Sequence, residues 1–222
     1  MPQRDKQHPG SDFDNFLAEG ELLEKIDLKQ SEVERTVLAA ASRGHFVYES
    51  GHHGALWLDM DALFVDARRA RGWASTLADR AAAGRPEFVC GPLTGGAFLA
   101  QSLAAEIGAG FIFAGRFVSD TGAVRYRIPE SLRRAVSGRR VLLVDDAVNA
   151  GSALLSTLTD LLECNIELAG FATLLTLGEA ASDIARRHGA PLFTLASLEH
   201  ELWTPEACPL CRSGTPLIDY LI

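Results

Sequence analysis

The sequence is poor in cysteine, with four residues in 222. That is too few for a disulfide-stapled scaffold, and a chain of this length needs no staple, since a domain of about 150 residues already buries about 70% of its unfolded surface. No leader-like segment stands ahead of the cysteines, so a reducing cytoplasm is the expected compartment. Long hydrophobic runs are also missing: none approaches the ~18 residues of a membrane span, and no membrane partner is expected. Positive charge is short, with Lys+Arg 21 against Asp+Glu 29, a net charge of −8 and a pI near 5.2. This excludes the uniformly basic face of a dedicated DNA binder, and no nucleic-acid partner is expected. It leaves room for a phosphorylated small molecule, because backbone N–H groups and a metal ion hold such ligands without entering the net charge. What is present is ordinary globular composition, 47% hydrophobic and 23% charged with mean hydropathy +0.07.

Residues 1–11 are polar, carry Pro9 and Gly10, and read as a frayed terminus. Helical spacing follows through Phe13, Phe16, Leu17, Leu22, Leu23 and Ile26, and Ser31 with Glu34 makes a capping-box signature for an amphipathic helix ending near Gly44. His45–Glu49 and Ala55–Asp59, separated by a Gly- and His-containing turn, predict a β-hairpin. From Asp61 to Ala83 the pattern is helical with interruptions. Strand and helix then alternate: apolar strands at Glu87–Cys90, Phe111–Ala114, Val141–Val144, Ile166–Thr176 and Leu192–Ala196, with helices at Ala97–Ile107, Ser152–Glu163 and Glu179–His188. Arg116–Arg127 reads as a polar, flexible segment. Continuous apolar strands separated by helices predict an α/β fold with a mostly parallel sheet of about five strands covered on both faces. The expected organisation is one domain over 1–222, with helices and hairpin at 12–60, an α/β core at 84–200 and a Cys-containing tail at 201–222. Trp203, Leu210 and Leu217 are expected to pack that tail on the core.

The informative stretch is Val141-Leu142-Leu143-Val144-Asp145-Asp146-Ala147-Val148-Asn149-Ala150-Gly151-Ser152-Ala153. A buried strand delivers two adjacent carboxylates to its C-terminal end, the edge at which open α/β sheets bind ligands. A loop of small residues then opens a helix, and its successive N–H groups make an anion site. Carboxylates beside a phosphate cradle suit a sugar's hydroxyls or a Mg²⁺ ion. An Asp pair closing an apolar strand is common in α/β proteins, and Ser152 alone would do as a helix cap. The whole strand, acid pair, loop and helix unit points to a ligand site. It is neither a P-loop nor a dinucleotide fingerprint, because the required Gly-Lys-Ser/Thr and Gly-x-Gly-x-x-Gly patterns are absent.

This stretch resembles the phosphoribosyl-pyrophosphate (PRPP) motif of type I phosphoribosyltransferases, and is most similar to the orotate phosphoribosyltransferase version. His45-Phe46 through Trp57-Leu58-Asp59 is similar to that family's N-terminal hood, Gly91-Pro92-Leu93-Thr94-Gly95-Gly96 to its pyrophosphate loop, and Trp203–Pro216 to a Cys-Pro-x-Cys tail found in some members. The resemblance implies transfer of phosphoribose from PRPP to a nitrogenous base, orotate or a related one, with release of pyrophosphate in nucleotide synthesis or salvage. Asp145 and Asp146 would hold the ribose hydroxyls directly or through Mg²⁺ and stabilise the oxocarbenium-like centre. Asn149, Ala150, Gly151 and Ser152 would cradle the 5′-phosphate; Leu93, Thr94, Gly95 and Arg116 would meet the pyrophosphate. Mg²⁺ is the implied cofactor and a homodimer the implied assembly.

Several positions depart from the orotate pattern. Gly115–Arg127, where the family carries a mobile catalytic loop, has neither Lys nor His, leaving Arg116, Arg125 and Arg127 as the available cations. Pro92–Gly96 lacks the family's Lys, Leu155 stands where an Arg often meets the orotate carboxylate, and Asn149 and Ala147 replace Thr and Val. Two alternatives therefore stay open: a non-catalytic PRPP- or nucleotide-binding regulatory paralogue, and a phosphoribosyltransferase for a neutral base. Cys208 and Cys211 have the spacing of a zinc half-site, which would need help from a histidine such as His200 or from a second subunit; a tight reduced turn is the other reading. His52 and His53 read as a solvated turn or part of the hood, His45 and His188 as surface or boundary residues, and Trp57 and Trp203 as core or interface anchors.

Overall fold

The computed structural model describes residues 32–220. The expectations for residues 1–31, including the frayed terminus and the Ser31 cap, lie outside the described residues. Residues 32–39 are helical (α1), and the chain enters strand β1 at Ala41–Val47, earlier than the hydrophobic spacing predicts. β1 pairs antiparallel with β2 (His53–Leu58), which places the expected hairpin but extends its first arm through Ala41–Gly44, residues read from sequence as helix.

Helix α2 (Ala67–Ala81) is opened by Asp66, whose carboxylate accepts from the backbone N–H groups of Arg68 (3.0 Å) and Arg69 (3.2 Å). The α/β core follows as β3 (Phe88–Pro92), α3 (Gly95–Ile107), β4 (Gly110–Val118), β5 (Val124–Arg127), α4 (Glu130–Val136), β6 (Arg140–Val148), α5 (Ser152–Glu163), β7 (Glu167–Leu177), α6 (Ala180–Arg187) and β8 (Leu192–Leu198). A short helix α7 (Pro209–Arg212) lies in the tail. The main sheet has six strands in the order β5-β4-β3-β6-β7-β8. Five are parallel and correspond to the five apolar runs of the sequence; β5 is an antiparallel edge strand.

β5 corrects the reading of Arg116–Arg127 as flexible. β4 runs on to Val118, turns through Ser119–Ala123 and returns, pairing Arg116 with Tyr126 and Phe117 with Arg125. Its polar residues hide it because one face of an edge strand meets solvent. Side chains of α5 tie it down: Ser156 Oγ accepts from Tyr126 N–H (2.9 Å), while Asp160 Oδ2 accepts from Ile128 N–H (2.7 Å) and Arg133 Nη1 (2.7 Å). Asp160→Ala would leave a buried N–H unpartnered and a guanidinium without its acceptor. We expect a loss of about 2–3 kcal/mol, read as a lower urea midpoint with unchanged slope.

The core lies on both faces of the sheet, as alternation along β6 requires. Leu142 and Val144 point to one side, with Trp73 and Leu77 of α2 and Leu99 and Leu103 of α3. Val141 and Leu143 point to the other, with Leu154, Leu158 and Leu161 of α5 and Ile184 of α6. Each fully buried aliphatic side chain contributes roughly 1.5–3 kcal/mol, so β6 is held in the centre of the sheet. Its carboxyl end is thereby a rigid platform. No helix among the described residues is long and apolar enough to cross a membrane.

The tail departs from the sequence-based expectation at Leu217, while Trp203 and Leu210 are half-buried. Leu217 is 48% exposed, and the docking runs through Cys208, which is fully buried, and through backbone pairing to the hairpin. His53 and Trp203 exchange two backbone hydrogen bonds (2.8 and 3.0 Å), and Ile218 bridges to Phe46.

Candidate active site

The strand order decides where a ligand fits. From β3 the chain crosses through α3 to β4 on one side; from β6 it crosses through α5 to β7 on the other. The β3–α3 and β6–α5 loops therefore leave neighbouring strands in opposite directions and open a crevice between them, the switch point at which doubly wound sheets take ligands.

Asp145 and Asp146 stand at this crevice on the end of β6. Asp145 is 7% exposed. Its Oδ1 accepts from the N–H of Asp146 (3.1 Å), and Asp146 Oδ1 accepts from the N–H of Ala147 (2.8 Å). Burial, then the neighbouring Asp146 charge, holds the Asp145 carboxyl well above the usual carboxylate range. Burial also raises Asp146. Among the described residues no salt bridge reaches either acid. The chain's only lysines, Lys6, Lys25 and Lys29, fall outside those residues. A buried and a half-buried carboxylate, side by side with free oxygen lone pairs and no salt bridge among the described residues, are what a hard divalent cation such as Mg²⁺ takes as ligands, so the donor set fits that ion.

The start of α3 explains how the acids fit. A Cβ on Gly95 would run into the Asp146 carboxylate, and one on Gly96 would lie 2.7 Å from Asp145 Oδ1. The two glycines bring the positive end of the α3 dipole beside the acids with no side chain between. Leu93, Thr94, Gly95, Asp145, Asp146 and Ser152 line one cavity of about 220 Å³. Asn149, Ala150, Gly151 and Ser152 line an adjoining one of about 320 Å³ that also touches Asp145. Gly151 opens α5 at φ +77°, a left-handed conformation that glycine adopts without a side-chain clash. Asn149 Oδ1 is buried without a hydrogen-bond partner among the described residues. The Asp145, Asp146, Leu93–Gly95 and Asn149–Ser152 positions singled out from sequence thus converge on one crevice.

Arg116 does not line these cavities; its Nε pairs with Glu49 Oε2 at 3.4 Å. Arg125 and Arg127 point away from the crevice, because in the hairpin they alternate with Tyr126, which lines it. The Arg127 guanidinium stacks 4.8 Å over the Phe117 ring instead. Leu155 packs against the apolar core on the α5 side and lines none of the crevice cavities.

Sequence reasoning named the hood but not the residues by which it walls the site. Glu49 touches both cavities and lies 3.5 Å from Tyr126 OH. Tyr48 and Trp57 stack at 6.2 Å with rings 6° apart and border a third cavity of about 190 Å³. Trp57 is thus a wall of the site as well as an anchor, its ring 6.0 Å from Phe46 and 5.2 Å from Tyr220. Burial pushes the Tyr48 phenol up to about 12, so it stays a protonated hydroxyl. His200, raised from sequence as a metal ligand, faces this cavity and lies 3.1 Å from Tyr48 OH. The spacing of Tyr48 and Glu49, adjacent residues with a turn after them, carries no signal of its own; only pairing with β2 aims them at β6.

A six-stranded, mainly parallel sheet with paired acids and two small-residue loops at its switch point defines a doubly wound nucleotide- or sugar-phosphate-binding protein. A family model described as the phosphoribosyl transferase domain matches residues 65–190, and the chain belongs to the phosphoribosyltransferase family. It is similar to the orotate phosphoribosyltransferase of Caldicellulosiruptor bescii, 30% identical over 179 residues, covering 81% of this chain and 89% of the relative. It is also similar to that of Caldanaerobacter subterraneus subsp. tengcongensis, 27% identical over 181 residues, covering 82% and 90%. Among solved structures the fold is shared with Aeropyrum pernix orotate phosphoribosyltransferase, with a TM-score of 0.56 and 24% identity over 72% of this chain and 89% of that one. Trypanosoma brucei adenine phosphoribosyltransferase, solved with AMP, pyrophosphate and ribose-5-phosphate, shares it with a TM-score of 0.59 and 15% identity over 76% and 79%.

Proposed function

We propose that this chain is an orotate-type phosphoribosyltransferase acting in pyrimidine nucleotide synthesis, moving the phosphoribosyl group of PRPP to a ring nitrogen of a base and releasing pyrophosphate. The observation that carries this reading is the adjacent pair of acids at the end of β6, free of any salt bridge among the described residues and set between two small-residue loops. Asn149, Ala150, Gly151 and Ser152 grip the 5′-phosphate with backbone N–H groups and the first turn of α5. Asp145 and Asp146 accept from the ribose hydroxyls and offset positive charge as the C1–O bond breaks. Leu93, Thr94 and Gly95 present amides to the pyrophosphate at the start of α3. When bound, Mg²⁺ neutralises the pyrophosphate and improves it as a leaving group. Asp145 and Asp146 are the residues proposed to hold that ion, directly or through water. Arg116 reaches pyrophosphate only by leaving Glu49, an exchange of one exposed ion pair for another that costs little. Homodimeric assembly and a cytoplasmic location belong to the same proposal.

One observation favours a second reading, a neutral base. The 190 Å³ cavity beside Asp146 is bordered by Tyr48, Leu56, Trp57, Leu58, Met60, Leu177 and His200, with no Arg or Lys. Burial lowers the His200 imidazole below its ordinary value, so it stays neutral. An orotate carboxylate placed there would find no cation among the described residues, and an unpaired buried charge is costly. The experiment is a base panel: purified protein, PRPP and Mg²⁺ with orotate, uracil or hypoxanthine, following pyrophosphate release. Release with orotate supports the first reading, release only with a neutral base the second. Mg²⁺-dependent PRPP stabilisation without release for any base leaves a binding protein.

A further inference from the structure

We propose that His45, His53, Cys208 and Cys211 form a closed structural Zn²⁺ site that clamps the tail onto the β1–β2 hairpin, outside the phosphoribosyl crevice. One ligand atom from each residue lies within 4.8 Å of all the others. A tetrahedral site with Zn–N near 2.0–2.1 Å and Zn–S near 2.3 Å has N···S edges of about 3.5 Å and an N···N edge of about 3.3 Å. His45 Nε2 lies 3.4 Å from Cys208 Sγ and 3.7 Å from Cys211 Sγ, His53 Nδ1 lies 3.3 Å from Cys211 Sγ, and the two nitrogens are 3.0 Å apart. Four of the six ligand-to-ligand edges are thus already close to those of such a tetrahedron, and the whole set lies within 4.8 Å.

The surroundings orient the ligands. His45 Nδ1 lies 2.8 Å from the carbonyl oxygen of Thr215, which can only accept. Nδ1 therefore carries the proton, and the lone pair of Nε2 faces the cluster, the arrangement metal-bound histidines adopt. Cys208 Sγ accepts from the backbone N–H of Cys211 at 3.4 Å, which closes the Cys-x-x-Cys turn. His45, His53 and Cys208 are 1%, 6% and 0% exposed while Cys211 is exposed, so three corners of the cluster are internal and the fourth lies at the surface. Two imidazoles and two thiolates, with no position left for water, select Zn²⁺ in a structural role.

The topology gives the site its purpose. The ligands come in pairs from segments more than 150 residues apart in sequence. The tail's apolar anchorage is partial: Leu217 and Tyr220 are 48% and 55% exposed, with the Tyr220 ring 5.7 Å from Phe46 and 5.2 Å from Trp57. Metal bonds supply the folding energy such a segment lacks. They also hold the hairpin that carries Tyr48 and Trp57 into the base cavity.

The test uses the full chain, purified without a metal-binding tag under reducing conditions after growth with zinc. About one zinc per chain is expected by elemental analysis, retained through gel filtration. Replacement by Co²⁺ is expected to give a thiolate-to-cobalt charge-transfer band that shrinks in Cys211→Ser, and Cys208→Ser/Cys211→Ser is expected to lose the metal. Should these variants not fold, the wild-type chain still decides: a thiol reagent should label Cys208 and Cys211 only after a chelator is added. Substoichiometric zinc after refolding with added Zn²⁺, full zinc in the double variant, a Cys208–Cys211 disulfide, or labelling indifferent to the chelator would each overturn the site.

Discussion

The Asp145→Asn/Asp146→Asn double variant is expected to lose PRPP-dependent turnover by at least about a hundredfold while melting no lower than the parent chain. The two effects have one cause. Both acids are held at a buried strand end with no basic side chain opposite among the described residues, so in the free protein their charge costs stability. Asn keeps the shape and an oxygen acceptor for each neighbouring N–H, at 3.1 Å from Asp146 and 2.8 Å from Ala147. It removes the repulsion, and with it the negative charge that a metal ion and a developing oxocarbenium centre require. Pyrophosphate release and calorimetric titration of PRPP with Mg²⁺, with a thermal melt on the same preparation, check both halves. Unchanged PRPP affinity would remove the assignment, and a large drop in Tm would mean that the acids serve packing instead. A site that gains stability when disabled is the usual signature of function held against the interest of the fold.

Gly91→Ala is the second large expected effect, acting through the backbone. A methyl group at Gly91 would run into the Gly96 carbonyl and lie 2.8 Å from the nitrogen of Ala97, and neither atom belongs to a side chain that can turn aside. Gly91 is held from the other side by pairing with Phe113 of β4. The end of β3 or the first turn of α3 must therefore shift, carrying Leu93–Gly95 with it. Overpacking of this kind costs about 3 kcal/mol at the upper end of its usual range, or roughly a 6–12 °C fall in Tm for a chain of this size. The KM for PRPP should rise as well. Gly115→Ala is the control: its added Cβ would meet only the Arg127 carbonyl, at 3.8 Å, and is expected to leave Tm unchanged. Equal melting of the two variants would show that the β3–α3 junction is more yielding than its contacts imply.

The parts of the molecule that sequence reasoning reached share a property. The five parallel strands are continuous apolar runs because both faces of each are covered, and a run of that kind is visible without knowing its neighbours. The Asp145–Ser152 unit is visible because strand, acids and loop are contiguous. β5 is not, since Val124–Arg127 alternates cationic residues with Val and Tyr, and its stability comes from Ser156 and Asp160 about thirty positions on. His45 and His53 looked like boundary and turn residues for the same reason: the atoms that bury them, Cys208 and Cys211, lie 158 to 166 positions away.

Local chemistry was therefore enough for the α/β class, the acid-tipped strand and the anion loop after it, because each depends on residues within a dozen positions of one another. Side-chain period, helix opening and the freedom of Gly151 all act at that range. Placing β3 beside β6, so that Gly95 and Gly96 meet the acids, and swinging Tyr48, Glu49 and Trp57 over the crevice required the folded chain. Those contacts arise from strand order and from pairing across long loops, which no run of neighbouring residues encodes.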